Sequence, residues 1–265
     1  MKSIYNINFC DYKGIKANFH THTYRCKHAS GEDREYIEAA IKAGYQVLGF
    51  SDHSPYPFGE YQSPIRMEMG ELENYVDSVL TLKKEYERDI RIFLGLETEY
   101  FPDFFEGLMK EVRQYPLDFM LLGQHYFDSE LSRKHTRRAR TEEEFLIKYV
   151  DQVLEGMRTG YFNCVAHPDI INYTGDIEVY RRHMRRLAEE AKKLQMPLEI
   201  NVNGYRDGCN YPNGDFIDLM VEVGNDILIG VDAHAPKELL DEENYHKCVE
   251  LVRNRGGKVF DEIFT

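Results

Sequence analysis

Short apolar runs alternate with longer amphipathic segments along the whole chain, and this alternation constrains the fold more than any other feature. Seven runs have the length and content of strands: 16–19 (KANF), 46–50 (QVLGF), 91–96 (RIFLGL), 118–122 (DFMLL), 162–166 (FNCVA), 198–202 (LEINV) and 227–231 (ILIGV). A further run at 258–260 (KVF) is read as closing or flanking the sheet. Between them, helical spacing marks 32–43, 71–88, 104–114, 142–158, 178–194 and 214–223. In the first helix Tyr36, Ile37, Ala40 and Ile41 share one apolar face, Ser30 with Asp33 forms the expected N-cap, and Gly44 follows the last turn. Strands alternating with helices build a parallel sheet, and seven or eight such units predict a closed barrel. The rival, an open doubly wound sheet, lacks its usual companions, since no G-x-G-x-x-G or P-loop follows any strand.

The chain has 265 residues, 42% apolar and 30% charged, with no internal repeat or linker-like shift in composition. We read residues 1–265 as a single domain with a substantial core. No apolar span approaches the roughly 20 residues of a transmembrane helix, and the opening MKSIYNINFCDYKG lacks the pattern of a secretory signal. Five scattered cysteines with no C-x-x-C pair indicate reduced thiols, so the expected location is the cytoplasm. A net charge of −13 disfavours nucleic acid as a partner. The sequence leaves the oligomeric state open.

Chemistry collects where the strands end. His20, His22 and His28 follow the first strand, Asp52 and His53 the second, and Glu97 and Glu99 the third. His125 follows the fourth, His167 the fifth, and Asp232 and His234 the seventh. In a parallel barrel all these ends open on one face. Side chains at i and i+2 of a strand point the same way, so His20 with His22, and Asp232 with His234, aim at common points. Taken singly each fragment has an ordinary packing or capping explanation; their shared position at strand ends does not.

His20, His22, His28, His53, Glu97, His125, His167, Asp232 and His234 are therefore nine candidate metal ligands. The mixed nitrogen and oxygen donors suit Zn, Fe or Mn. A single zinc site takes about four ligands, so nine with one bridging carboxylate fit two or three ions. Multinuclear clusters clamp phosphoryl oxygens and activate water near neutral pH, which points to phosphate-ester hydrolysis.

H-x-H at 20–22, His28, SDH at 51–53, Glu97, His125, AHPD at 166–169 and D-x-H at 232–234 resemble, in order and through nearly the whole chain, the polymerase-and-histidinol-phosphatase (PHP) family. The resemblance implies a distorted seven-stranded (β/α)7 TIM-like barrel with three divalent metal ions at the C-terminal face of the strands. By position, it implies that His20, His22, Glu97 and Asp232 hold one ion, with Glu97 bridging to a second held by His125 and His167. His28, His53 and His234 would hold the third. The stretches SDHSPYPF, GLETEYFPDF, LLGQHYF and LEINVNGYR are similar to those of the histidinol-phosphatase subgroup. That similarity implies a small phosphomonoester substrate, L-histidinol phosphate, cleaved to L-histidinol and phosphate in histidine biosynthesis.

Beyond the ligands, Glu97, Asp232 and His234 are the expected catalytic residues, with Asp232 and its neighbouring histidines placed to protonate the leaving alkoxide. Asn201, Arg206 and Arg66 are the expected substrate contacts, Arg206 by forked pairing with phosphate and Arg66 by reaching phosphate from the loop at 54–70. Tyr56, Phe58 and Tyr61 in the loop at 54–70 either pack on an imidazole or pin the loop. The basic run RKHTRRAR (133–140) lies near the mouth, whereas RRHMRR (181–186) reads as a solvated helix face. Two rival readings remain: a related phosphoesterase acting on nucleotides or single-stranded nucleic acid, and a non-catalytic metal-binding module.

Overall fold

In the computed structural model, which describes residues 3–5 and 7–260, the seven apolar runs form seven parallel strands in sequential order. They are β1 (Ala17–Asn18), β2 (Val47–Phe50), β3 (Arg91–Thr98), β4 (Phe119–Leu122), β5 (Cys164–Val165), β6 (Leu198–Asn201) and β7 (Ile227–Gly230). Beyond the strand ends a Thr21–Ala233 bridge, with His22 N donating to Ala233 O and Ala233 N to His20 O, brings the last strand back to the first. The result is a nearly closed barrel, as the alternation predicted.

Helices α1 (Asp33–Lys42), α2 (Leu72–Glu85), α3 (Pro102–Val112), α4 (Glu143–Arg158), α5 (Ile177–Leu194), α6 (Val202–Arg206), α7 (Gly214–Val223) and α8 (Glu242–Arg253) accompany the strands. The sequence reading missed α6, a single turn starting where the sixth strand was expected to continue. Asn201 stops that strand by accepting the Gly204 N–H through its side chain. It also missed α8, whose buried Tyr245, Cys248, Val249 and Val252 sit at helical spacing among many charges. At α1 the cap differs from expectation: Glu32, not Ser30, is the N-cap, and the Glu35 carboxylate accepts its N–H at 2.7 Å. The run at 258–260 does flank the sheet, through a parallel bridge between Val259 and Ile227.

Each strand buries both faces. Leu48, Phe50, Leu94, Leu96, Met120, Leu122, Ile200 and Ile229 belong to the large cluster shared with the helices. The alternate positions Val47, Phe119, Leu121, Cys164 and Leu228 join Phe9, Phe19 and Phe260 in a separate cluster inside the lower barrel. Phe9 stacks on Phe19 at 4.0 Å between centroids, and Phe119 stands edge-on to both. Further up the same interior faces the side chains become histidines and carboxylates. Among the described residues no helix is long and apolar enough to cross a membrane.

Candidate metal centre

All nine predicted ligands converge above the aromatic plug. Glu97 is the hub, because β3 is longer than expected and carries it, fully buried, into the centre. Its Oε2 lies 3.0 Å from His53 Nδ1 and 3.5 Å from both His20 Nε2 and His22 Nε2. Its Oε1 lies 2.8 Å from His167 Nε2 and 3.5 Å from His125 Nε2. Asp232 Oδ1 is 3.0 Å from His22 Nε2 and 3.5 Å from His20 Nε2 and His234 Nδ1. His234 and His28 face each other nitrogen to nitrogen at 3.0 Å. His28, His125 and His234 are the partly exposed members; the other six are buried.

The donor set behaves as a ligand cage rather than a packed polar core. His20 Nε2, His22 Nε2, His53 Nδ1, Glu97 Oε2, His167 Nδ1 and Asp232 Oδ1 are buried yet make no hydrogen bond. Buried polar atoms normally find partners, since leaving one unmade costs about 1–3 kcal/mol. Orphaned atoms on six residues of one cluster fit divalent cations, and triplets such as His20–His22–Glu97, His20–His167–Asp232 and His22–His53–His234 meet within ligand range.

Outer partners orient the ligands. Both Glu199 oxygens lie 3.0 Å from His20 Nδ1, and Asp52 lies 3.4 Å from His22 Nδ1 while accepting from Thr23. Glu99 is 3.1 Å from His125 Nδ1. Each contact leaves the opposite ring nitrogen facing the cage. Asn201 and Asn203 hold Asp232 Oδ2 at 3.2 and 3.4 Å. Room for the carboxylates comes from glycines on the neighbouring strands, Gly123 just past β4 beside β3 and Gly230 in β7 beside β6. A Cβ on Gly123 would stand 1.9 Å from Glu97 Oε1, and one on Gly230 would stand 1.8 Å from Glu199 Oε1. His167 and Asp232 occupy left-handed backbone, φ 30° and 54°, a strain that persists at sites where surrounding structure enforces it.

Charge divides the cage. Burial opposes protonation of His20, but Glu199, Asp232 and Glu97 outweigh it and hold the ring well above the ordinary imidazole range. For His22, burial is likewise overcome by Asp232 and Asp52, giving a value of about 9. On the carboxylate-poor side burial prevails: His53 is pushed well below its ordinary value, and His234, with His22 beside it, falls to about 3. Burial favours neutral acids, yet the surrounding imidazoles hold Glu97 and Asp232 well below the usual carboxylate range. A negative half and a neutral, nitrogen-rich half thus adjoin at Glu97.

Of the expected substrate contacts, Arg66 is misplaced. Its guanidinium is buried behind His125, paired with Glu99 at 2.9 and 3.0 Å and with Glu130 at 2.7 Å, and it also donates to Ser54 O. It orients the Glu99–His125 pair and does not face the mouth. Asn201 is buried against Glu199 and Asp232. Arg206 lies by the rim, pairing with Glu238 at 3.1 Å and with Asn203, and its Nη1 makes no hydrogen bond. Tyr56 and Phe58 stack on each other and on Phe101, pinning the loop, while Tyr61 donates to Glu130. The supporting roles of Glu199 and Glu99 were within reach of the i, i+2 rule; that of Glu130, in an aperiodic turn, was not.

The seven-stranded parallel barrel and the strand-end cage together define a barrel protein with the donor set of a divalent-metal site, and the sequence assigns the family. Residues 18–203 match the PHP domain, and the chain belongs to that family. It is 26% identical over 258 residues to a probable histidinol-phosphatase of Deinococcus radiodurans, covering 90% of this chain and 93% of the relative. Against a probable histidinol-phosphatase of Schizosaccharomyces pombe it is 27% identical over 254 residues, covering 86% and 82%. The fold matches that of a histidinol phosphate phosphatase from Lactococcus lactis, solved with zinc, L-histidinol and phosphate, at a TM-score of 0.71 and 21% identity over 92% of this chain and 95% of that one.

Proposed function

We propose that this chain is a metal-dependent phosphomonoesterase that hydrolyses L-histidinol phosphate to L-histidinol and phosphate. The observation that carries the reading is the convergence of nine candidate ligands, six of which carry a buried donor atom with no hydrogen-bond partner. The full-length likeness to relatives named histidinol-phosphatases supports the choice of substrate.

Three divalent ions, drawn from Zn, Fe and Mn, would be held as follows: one by His20, His22, Glu97 and Asp232, a second by Glu97, His125 and His167, and a third by His28, His53 and His234. Bound there, the ions supply Lewis acidity toward phosphoryl oxygens and activation of water. The protein's own groups do the rest. Glu97 would serve both of the first two positions, and Glu199, Asp52 and Glu99 fix the tautomers of His20, His22 and His125. Asn201 and Asn203 aim Asp232. His28, His125 and His234 form the open side through which the ester enters. Asp232 and His234, neighbours at the tip of β7, are both held deprotonated and serve as ligands, so the proton for the leaving alkoxide is assigned to water.

Phosphate release by Mn-, Zn- or Fe-loaded protein from histidinol phosphate, a nucleoside 3′,5′-bisphosphate and a single-stranded oligonucleotide tests this reading. Histidinol phosphate is expected to be preferred; preference for either nucleotide substrate overturns the assignment. Metal analysis that finds fewer than two ions per chain overturns the cluster.

A further inference from the structure

Most arginines of this acidic chain are committed to carboxylates. Arg181, Arg182, Arg185 and Arg186 on α5 pair with Glu222, Glu143, Glu222 and Asp151, and Arg34 pairs with Glu85. Arg133 and Arg138 are different: among the described residues, neither side chain has an acidic partner or a hydrogen bond. Both line an open cleft of about 650 Å³, together with Arg137, His135, Tyr61, Tyr126 and the carboxylate of Glu130, which is itself neutralised by Arg66. Among the described residues the Arg137 side chain engages Cys209 Sγ, at 2.9 Å, and the Tyr211 ring.

The position of this cleft gives it meaning. Residues 125–136 form a hairpin: Thr136 N donates to His125 O, Phe127 N donates to Lys134 O, and Tyr126 bridges His135 antiparallel. The base of the hairpin is the metal ligand His125, whose ring lies 6.3 Å from that of His135. Its tip turns through Glu130–Ser132, and Arg133 follows in left-handed backbone. Buried Glu130 fastens the turn from below through Arg66, Ser63 and Tyr61. Arg133 thus stands just past the tip of this rigid element, while Arg138 follows its base two residues beyond Thr136, at the end that carries His125. On a surface with net charge −13, such a patch is a local attractor for anions.

We propose that the Arg133–Arg138 lip is a capture site for the phosphate dianion of the incoming monoester, holding it beside His125 before it enters the cage. Tyr61, Tyr126 and His135 offer flat faces to the organic part. The proposal rests on the phosphomonoesterase reading but not on which ester is natural.

The test uses p-nitrophenyl phosphate as a substrate-neutral probe, with histidinol phosphate in parallel. Metal-loaded wild-type protein is expected to lose kcat/KM steeply as ionic strength rises from about 20 to about 300 mM, because screening shortens the reach of the patch. The double variant Arg133→Ala/Arg138→Ala is expected to lower kcat/KM about tenfold at low salt, flatten the salt dependence and weaken inhibition by inorganic phosphate. Arg133→Lys/Arg138→Lys should restore most of each effect. A double alanine variant that keeps the wild-type salt profile and phosphate inhibition overturns the capture site. Turnover of the probe without turnover of histidinol phosphate would instead overturn the substrate assignment and leave the capture result readable.

Discussion

The two ends of one barrel are built from the same strands and obey opposite rules. At the lower end, Phe9, Phe19, Phe119, Leu121 and Leu228 fill the interior with rings and branched chains that need only each other. At the upper end, on the same inward faces, six buried polar atoms lack partners. The first arrangement is complete as soon as the chain folds. The second is complete only when something cationic joins it. Stability and chemistry are thereby separated along the barrel axis, about a strand's length apart.

The comparison can be broken first at the plug. Phe119→Ala removes a ring that Gly49 and Gly95 leave space for, since a Cβ on either would touch it. We expect a loss of about 4 kcal/mol in denaturant unfolding, with the metal content of the folded fraction unchanged. Depleted metal content in that folded fraction would show that the ends are not independent. At the other end, Glu97→Gln should lower kcat by roughly a thousandfold and reduce bound metal, while the chelated protein keeps its wild-type Tm or exceeds it. Chelation of the wild-type protein should lower Tm by roughly 5–10 °C, reversibly, because ligands stabilise only the folded state. Gly230→Ala is the mildest probe: displacing Glu199 from His20 should cost roughly 10- to 100-fold in metal affinity with far less effect on Tm.

The difference between the two ends also explains what the sequence disclosed. The strands were legible because burial on both faces makes them continuous apolar runs, and the ligands because histidine is scarce and strand ends repeat. Arg66 was misread because a loop has no period, so nothing local distinguishes an arginine that reaches substrate from one that clamps Glu99. The helix α8 was hidden by its charges, and α6 by its brevity. Gly123 and Gly230 look like ordinary strand glycines until the carboxylates opposite them are seen.

The seam between the first and last strands has a consequence for biogenesis. His20 and Asp232 belong to one cage, yet Asp232 is made only after most of the chain has been synthesised, and the two are brought together where Ala233 meets His20 and His22. No local fragment can assemble this centre, since its ligands come from every part of the sequence. Filling every position of the cage therefore requires that the chain has been made past His234 and the ring has closed, and a chain lacking the final pair leaves two of the three proposed positions short of ligands.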